Sequence, residues 1–422
     1  MSGAGTRVFL DCTHTRLQGA EVGITRVVRG LARGLAACGE DVRPVAWHRD
    51  GFRVAPSVEP ETAAGTGAGG HGATAGLYRL SGEPWVRRLA KRLTPPALQV
   101  AAWRRFGRRA FSTFSEALPA AGIGAGDLLV AADAGWNYDL WPAARHAREA
   151  GARVVTVVYD LIPANQPQYC APAHRRLFAG WLSGALAESD ALLCISEATR
   201  SDVEAHCRRL GLRCPPSAAF RLGSDLPRAA SAGDAAARPA LRDLPTGGFF
   251  LTVGSLEPRK NHDLALDAFE ALWRDGLAAP LVVVGRPVDG AQRTVARLRA
   301  HPELGRRLLL LEDCGDAELE FLYGRARAVV LPSLAEGFGL PLAEARQRGC
   351  EVIASRLPAF EEIADAGVRM FAPGNREELA ARVRESASSP PASLPATKSV
   401  SWTESARQFL DGIARTAPTR TT

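Results

Sequence analysis

The chain has 422 residues, 46% of them hydrophobic and 23% charged, a balance that feeds more than one packed core and excludes a disordered or fibrous chain. Its formal net charge of +7, carried mainly by arginine, favours anionic partners without choosing among phosphate groups, nucleic acid and an acidic membrane surface. The scattered cysteines (Cys12, Cys38, Cys170, Cys194, Cys207, Cys214, Cys314 and Cys350) form no C-x-x-C pair, no signal-peptide pattern follows Met1, and no apolar run could span a bilayer. A cytoplasmic protein with neither a disulfide framework nor structural zinc is therefore expected.

The predicted elements alternate between short apolar strands and amphipathic helices. Arg7 to Asp11 reads as a first strand, and Ile24 to Ala37 as a helix with Val27, Val28, Leu31 and Leu35 on one face. Gly65 to Gly76 reads as a flexible loop. Arg79 to Phe114 is basic and aromatic, and reads either as a helix on an anionic membrane surface or as a helical insertion with a solvated basic face. Further strands are expected at Asp127 to Ala131, Arg153 to Val158 and Ala191 to Ile195, the last followed by a helix capped by Ser196 with Glu197 in its first turn.

Ser224 to Gly247, rich in Ala, Pro, Asp and Arg, breaks the rhythm and reads as a linker. Strands then recur at Phe249 to Gly254, Leu281 to Gly285, Leu308 to Leu311, Ala328 to Leu331 and Glu351 to Ala354, with helices at Asn261 to Trp273 and Gln292 to Ala300. After a Pro/Ser-rich link from Ser388 to Val400, Trp402 to Ile413 reads as a last helix. Continuous apolar strands are buried on both faces, so the fold class expected is α/β, with two doubly wound parallel-sheet domains. The expected boundaries are 1–223 (with a basic, flexible insertion at 57–117), a linker at 224–247, a second domain at 248–400 and a terminal helix at 401–416.

Two segments carry the chemistry. The first follows a strand: Val253-Gly254-Ser255-Leu256-Glu257-Pro258-Arg259-Lys260-Asn261-His262. Ligands of open α/β sheets bind beyond the carboxyl ends of the strands. Gly254 there would admit a ligand to the backbone, and Arg259 and Lys260 would neutralise two phosphates. An ordinary turn with two exposed cations is the alternative. The second segment is Leu331-Pro332-Ser333-Leu334-Ala335-Glu336-Gly337-Phe338-Gly339-Leu340-Pro341-Leu342-Ala343-Glu344-Ala345, where a strand again feeds a loop and then a helix. Its backbone amides would form an anion site, and Glu336 and Glu344 could each accept from sugar hydroxyls. Alternatively, Glu344 is a helix-surface residue and Glu336 a partner for the helix dipole. Together the segments supply cations, amide donors and hydroxyl acceptors, the complement of a diphosphate bearing a sugar at each end.

The Glu336 to Glu344 segment resembles the E-x7-E motif of retaining glycosyltransferase family 4, and Gly254 to Asn261 resembles the same family's G-x-x-x-P-R-K-N donor loop. Gly223, in Arg-Leu-Gly-Ser-Asp, resembles the end of that family's first domain, and Ser401-Trp402 the start of its terminal helix. Asp11-x-Thr13, Gly23-Ile24-Thr25-Arg26-Val27 and Tyr159-Asp160-Leu161-Ile162-Pro163 resemble members that build bacterial O-antigens and capsules, among them mannosyl- and rhamnosyltransferases. The likeness is close in the second domain and looser in the first, where Gly51 to Phe114 matches little.

The resemblance implies a GT-B fold with two domains facing a cleft, and transfer of a hexose with retention. The donor would be a nucleotide-diphosphate sugar, with a GDP-sugar favoured. Arg259 and Lys260 would hold the diphosphate, Glu344 the ribose, and Glu336 the transferred sugar. Gly254, Ser255, Gly337, Phe338, Gly339 and Leu340 would complete the donor site. The acceptor would lie on the first domain, at the turn from Gly19 to Gly23 and at Tyr159 and Asp160. Many relatives have His-Asp where this chain has Tyr159-Asp160; a tyrosine hydroxyl donates a hydrogen bond but is a poor proton acceptor at neutral pH. No D-x-D follows a strand, so no metal and no further cofactor is expected. The acceptor implied is a lipid-linked, polyprenyl-type oligosaccharide, with 79–114 on the inner leaflet.

Three rivals stand beside this. A nicotinamide-dependent oxidoreductase lacks its fingerprint, since no G-x-G-x-x-G follows a strand. A non-catalytic nucleotide-sugar or glycan-binding protein would keep the same fold. Nucleic-acid binding would rest on Arg79 to Phe114 alone, without a recognised module, and is not expected.

Overall fold

The computed structural model describes residues 6–17, 23–48, 51–59, 118–225, 241, 244–288, 290–389, 394–397 and 400–417. Gly19, the Gly65 to Gly76 loop, the basic stretch 79–114 and most of the expected linker lie outside the described residues. The chain forms two compact units, Met1–Gly223 with Ser401–Thr422, and Ser224–Val400.

The first unit carries a sheet of seven described strands: β1 (Arg7–Asp11), β2 (Asp41–His48), β3 (Gly51–Val54), β4 (Leu128–Ala131), β5 (Arg153–Val158), β6 (Ala191–Cys194) and β7 (Ser217–Ala219). Their order is β3-β2-β1-β4-β5-β6-β7, parallel throughout except for β3, which pairs antiparallel with β2. Every residue of β4 and β6 is buried, as expected of parallel strands covered on both faces. Helix Ile24–Ala37 buries Val27, Val28, Leu31 and Leu35, the face its spacing predicts. Helix Glu197–Leu210 starts where its cap residue places it: Ser196 Oγ accepts from the Thr199 amide at 3.0 Å.

The C-terminal helix, Trp402–Arg415, packs on Ile24–Ala37. Its Trp402 lies so close to helix Ile24–Ala37 that a Cβ on Gly30 would fall 2.2 Å from Trp402 Cδ2, and one on Gly34 2.1 Å from the Trp402 carbonyl oxygen. Only residues without a side chain permit that approach.

The second unit carries six described parallel strands: β8 (Phe250–Val253), β9 (Leu281–Val284), β10 (Leu308–Leu311), β11 (Ala328–Leu331), β12 (Glu351–Ser355) and β13 (Val368–Phe371). Their order, β10-β9-β8-β11-β12-β13, is the doubly wound order 3-2-1-4-5-6. Phe250, Val283, Val330 and Ile353 from the strands pack with Phe269 and Leu272 of helix His262–Arg274 in one core.

Strand order reverses between β8 and β11 in this unit and between β1 and β4 in the first. At such a point the connections leave towards opposite faces of the sheet and open a crevice at the strand carboxyl ends. Both chemistry-bearing segments follow the two strands at the second unit's reversal. No helix among the described residues is long and apolar enough to cross a membrane.

Candidate active site

The segment after β8 is tightly shaped. The Gly254 amide donates to the Val284 carbonyl at 3.0 Å, and a Cβ on Gly285 would meet the Gly254 carbonyl oxygen at 1.9 Å. Pro258–Lys260 then makes a single 3-10 turn that ends at Asn261, whose φ of 54° and ψ of 43° are left-handed. Asn261 is the one non-glycine residue with positive φ among the described residues. Such backbone costs free energy, and asparagine tolerates it better than most side chains.

Helix His262–Arg274 follows at once, with the His262 ring buried beneath the loop. His262 Nε2 lies 3.2 Å from the Ser255 carbonyl oxygen, so this nitrogen carries the ring proton and donates it. Burial pulls the imidazole pKa down to about 4, leaving the ring neutral at physiological pH.

The segment after β11 turns back onto this loop. The Leu334 amide donates to the Arg259 carbonyl at 2.7 Å and fastens the two segments together. Glu336 Oε1 accepts from Lys260 Nζ at 2.6 Å and from Ser333 Oγ at 2.7 Å, and Oε2 accepts from Arg259 Nη1 at 2.9 Å. Arg259 Nη1 also donates to the Ala335 carbonyl at 3.0 Å. Burial alone would raise the Glu336 pKa, but the charges of Lys260 and Arg259 and the Lys260 and Ser333 hydrogen bonds outweigh it and bring it down to about 2. Glu336 is therefore an anion that accepts hydrogen bonds and has no proton to give.

Gly339, at φ 106°, opens helix Leu340–Gln347, and a Cβ there would strike the Phe360 ring at 2.6 Å. Phe338 is buried beside it. Glu344 is 3% exposed on that helix, so it is a buried residue and not a surface one, and its Oε2 accepts from the Tyr323 hydroxyl at 3.0 Å.

Gly254, Ser255, Arg259, Lys260, Glu336, Gly337, Phe338, Gly339, Leu340 and Glu344 thus all follow the carboxyl ends of β8 and β11. Sequence reasoning did not assign a role to Glu257. Its Oε1 accepts from Ser255 Oγ at 2.6 Å and pairs with Arg259 Nη2 at 2.8 Å, bracing two of the residues singled out for the donor. Glu257 stands inside the quoted motif, so its identity was visible while its pairing was not. Ser333 and His262 were missed for the same reason.

In the first unit, Gly23 precedes helix Ile24–Ala37 with φ 54°. Tyr159 and Asp160 follow β5. The buried Tyr159 hydroxyl donates to the Ala132 carbonyl at 2.5 Å, and Asp160 Oδ1 accepts from the Ile162 amide at 3.0 Å. Two buried carboxylates that sequence reasoning did not single out as site residues occupy the strand-order reversal itself. Asp11 ends β1, and Asp133 lies two residues beyond β4. Burial first, then the charge of Asp133, pushes the Asp11 pKa up to about 7; burial pushes Asp133 up to about 6.

Residues 237–409 match the family model described as Glycosyl transferases group 1, and so carry a domain of that family. The chain is 34% identical over 245 residues to the serotype-specific mannosyltransferase WbdA of Escherichia coli, a match covering 56% of this chain and 30% of that protein. It is 28% identical over 241 residues to O-antigen chain mannosyltransferase B of Escherichia coli, covering 56% of this chain and 61% of the relative. The chain therefore spans less than two thirds of the length of these curated relatives. Among solved structures, sucrose-phosphate synthase from Thermosynechococcus elongatus aligns with a TM-score of 0.59 at 18% identity, over 96% of this chain and 94% of that one. Trehalose 6-phosphate synthase from Burkholderia multivorans aligns with a TM-score of 0.56 at 15% identity, over 98% and 95%. At these identities the likeness establishes the fold, that of the GT-B glycosyltransferases.

Proposed function

We propose that this chain, with a glycosyl transferases group 1 domain in a GT-B fold, is a hexosyltransferase that moves mannose from GDP-mannose to a hydroxyl of a growing surface polysaccharide. The observation that carries this reading is the convergence of Arg259, Lys260 and the Glu336 carboxylate at the strand-order reversal of the second unit. Two cations there suit a diphosphate, and an ionised carboxylate suits sugar hydroxyls. The mannosyl donor and polysaccharide acceptor are suggested by what the relatives' names say of them.

The reaction needs little covalent chemistry from the protein. The bond from the sugar's anomeric carbon to the acceptor oxygen forms as the bond to the diphosphate oxygen breaks. With retention, the hydroxyl enters on the leaving-group face, and its proton passes to the departing phosphate. Negative charge grows on the leaving diphosphate, and Arg259 and Lys260 are pre-positioned to stabilise it without a metal ion. Glu336 would hold the two cations and accept from the sugar, fixing the anomeric carbon for attack. The acceptor would be polyprenyl-linked, and the basic stretch 79–114 would rest on the inner leaflet of the membrane.

The test is a thermal-shift screen against GDP-, UDP-, dTDP- and ADP-sugars without added metal, on the wild type, Arg259→Ala and Glu344→Ala. A ligand that binds the folded state raises the midpoint. A rise with GDP-mannose that Arg259→Ala abolishes, followed by mannosyl transfer in a product assay, supports the reading. A midpoint that no nucleotide sugar moves overturns it.

A further inference from the structure

We propose that His14 and Asn137, beside Trp136, form the hydroxyl-reading part of an acceptor-saccharide subsite in the first unit. This deepens the glycosyltransferase reading and rests on it for the ligand's class.

The argument begins with the two buried carboxylates. Burying one carboxylate is costly, and burying two where each raises the cost of charging the other is more so, which marks positions kept for something other than stability. Both are occupied in shaping one short segment. Asp11 Oδ1 accepts from the Thr13 amide at 3.1 Å and its hydroxyl at 2.5 Å. Asp133 Oδ2 accepts from the Thr15 amide at 2.7 Å. His14 stands between these pinned residues.

On the other side, Asp133 Oδ1 accepts from the Ala134 amide at 2.8 Å at the start of the turn Gly135–Asn137. Asp11 Oδ2 accepts from the Tyr138 hydroxyl at 2.6 Å at its end. The same two carboxylates therefore fix the backbone of both short segments, one after β1 and one after β4. His14 and Asn137 join them, with the Asn137 amide nitrogen 3.3 Å from His14 Nδ1. Neither side chain is fully buried.

The chemistry of this pair is specific. Nδ1 accepts from the Asn137 amide, so the proton of a neutral ring sits on Nε2. Nε2 has no hydrogen-bond partner among the described residues. Burial pulls the His14 pKa down to about 4, so the ring stays neutral at physiological pH. A neutral N–H donor carries no full positive charge to pair with an anion and suits an uncharged oxygen.

Trp136 supplies a partner for the apolar face of a sugar ring. Its indole is held edge-on against Trp181 at 5.6 Å and His174 at 5.8 Å, and it remains partly exposed. The subsite lies at the carboxyl ends of β1 and β4, which corresponds in this sheet to the place that the cation cluster occupies in the other.

The experiment uses the full chain with GDP-mannose as donor and methyl α-mannopyranoside as the acceptor probe. The wild type, His14→Ala, His14→Gln and Asn137→Ala are compared for acceptor KM, donor KM and binding of the methyl mannoside alone by saturation-transfer NMR. Loss of one neutral hydrogen bond predicts an acceptor KM raised about three- to tenfold in His14→Ala and Asn137→Ala, with donor KM unchanged. His14→Gln, which keeps a donor, should recover part of the loss. An acceptor KM that does not move, or donor and acceptor KM that move together, overturns the subsite. The two readings fail separately: if no nucleotide sugar binds the wild type, the donor reading falls, whereas methyl mannoside binding that depends on His14 still upholds the subsite.

Discussion

Lys260 Nζ lies 2.6 Å from Glu336 Oε1, joining the loop after β8 to the loop after β11 through a carboxylate whose side chain is 7% exposed. The pair predicts a signature in acid. Glu336 has its pKa depressed from 4.5 to about 2, so the stability it adds is complete above the unfolded value and is lost as pH falls through about 2. Replacing it with glutamine should cost about 1–3 kcal/mol at pH 7, since two cations lose their counter-charge. In urea titrations the gap between wild type and Glu336→Gln should narrow as pH drops from 4.5 towards 2. A gap that stays constant with pH would mean that the carboxylate's charge contributes nothing to the fold.

The Asp11 and Asp133 pair predicts the opposite slope. Their folded pKa values, about 7 and about 6, exceed the ordinary 3.8. The folded state therefore binds more protons than the unfolded one between pH 4 and 7, and stability falls as pH rises across that window. Asp11→Asn keeps an acceptor for Thr13 and presents an amide to the Tyr138 hydroxyl, which can accept. It should flatten the slope and raise the unfolding midpoint at pH 8 relative to wild type. Denaturant titrations from pH 5 to 8 check this; a destabilised variant at pH 8 would contradict it.

The contact between Trp402 and Gly30 predicts how the chain's end is held. Trp402→Ala should cost about 3–5 kcal/mol by emptying a buried slot. Gly30→Ala should cost about 1–3 kcal/mol by overfilling it. In both, helix Trp402–Arg415 should become an early target of limited proteolysis, while residues 250–389 remain protected. Equal proteolysis of wild type and variants would show that the helix does not depend on this contact.

Much of this architecture was legible because its signal is local. Ala328–Leu331 and Leu308–Leu311 are unbroken apolar runs, and Ile24–Ala37 shows its buried face in its spacing. Strand β2 escaped notice because Arg43 and Pro44 interrupt its apolar pattern, and β7 is only three residues long. At the cation cluster, glycines and basic residues announce themselves by type within one motif. Asp133 does not, since it gains meaning only by reaching Thr15, 118 positions away. Long-range pairing of this kind is set by strand order, which periodicity leaves open.

His262 allows the proposed donor role of the loop after β8 to be tested without touching the cations. Its Nε2–H supports the Ser255 carbonyl from inside the fold, and burial pulls its pKa from 6.5 to about 4. Below pH 6.5 the unfolded chain takes up a proton that the folded chain refuses, so this group destabilises the second unit progressively between pH 6.5 and 4, by up to about 3 kcal/mol. His262→Gln keeps a donor for Ser255 and does not titrate; it should remove that slope and hold donor KM near wild type. His262→Phe also removes the slope but leaves the carbonyl unpaired, at a cost of about 1–3 kcal/mol. The freed loop should then raise donor KM more than it lowers kcat, because Arg259 and Lys260 keep their charges and lose only their placement. Phe and Gln variants with equal donor KM would show that the imidazole fills space and does not position the loop.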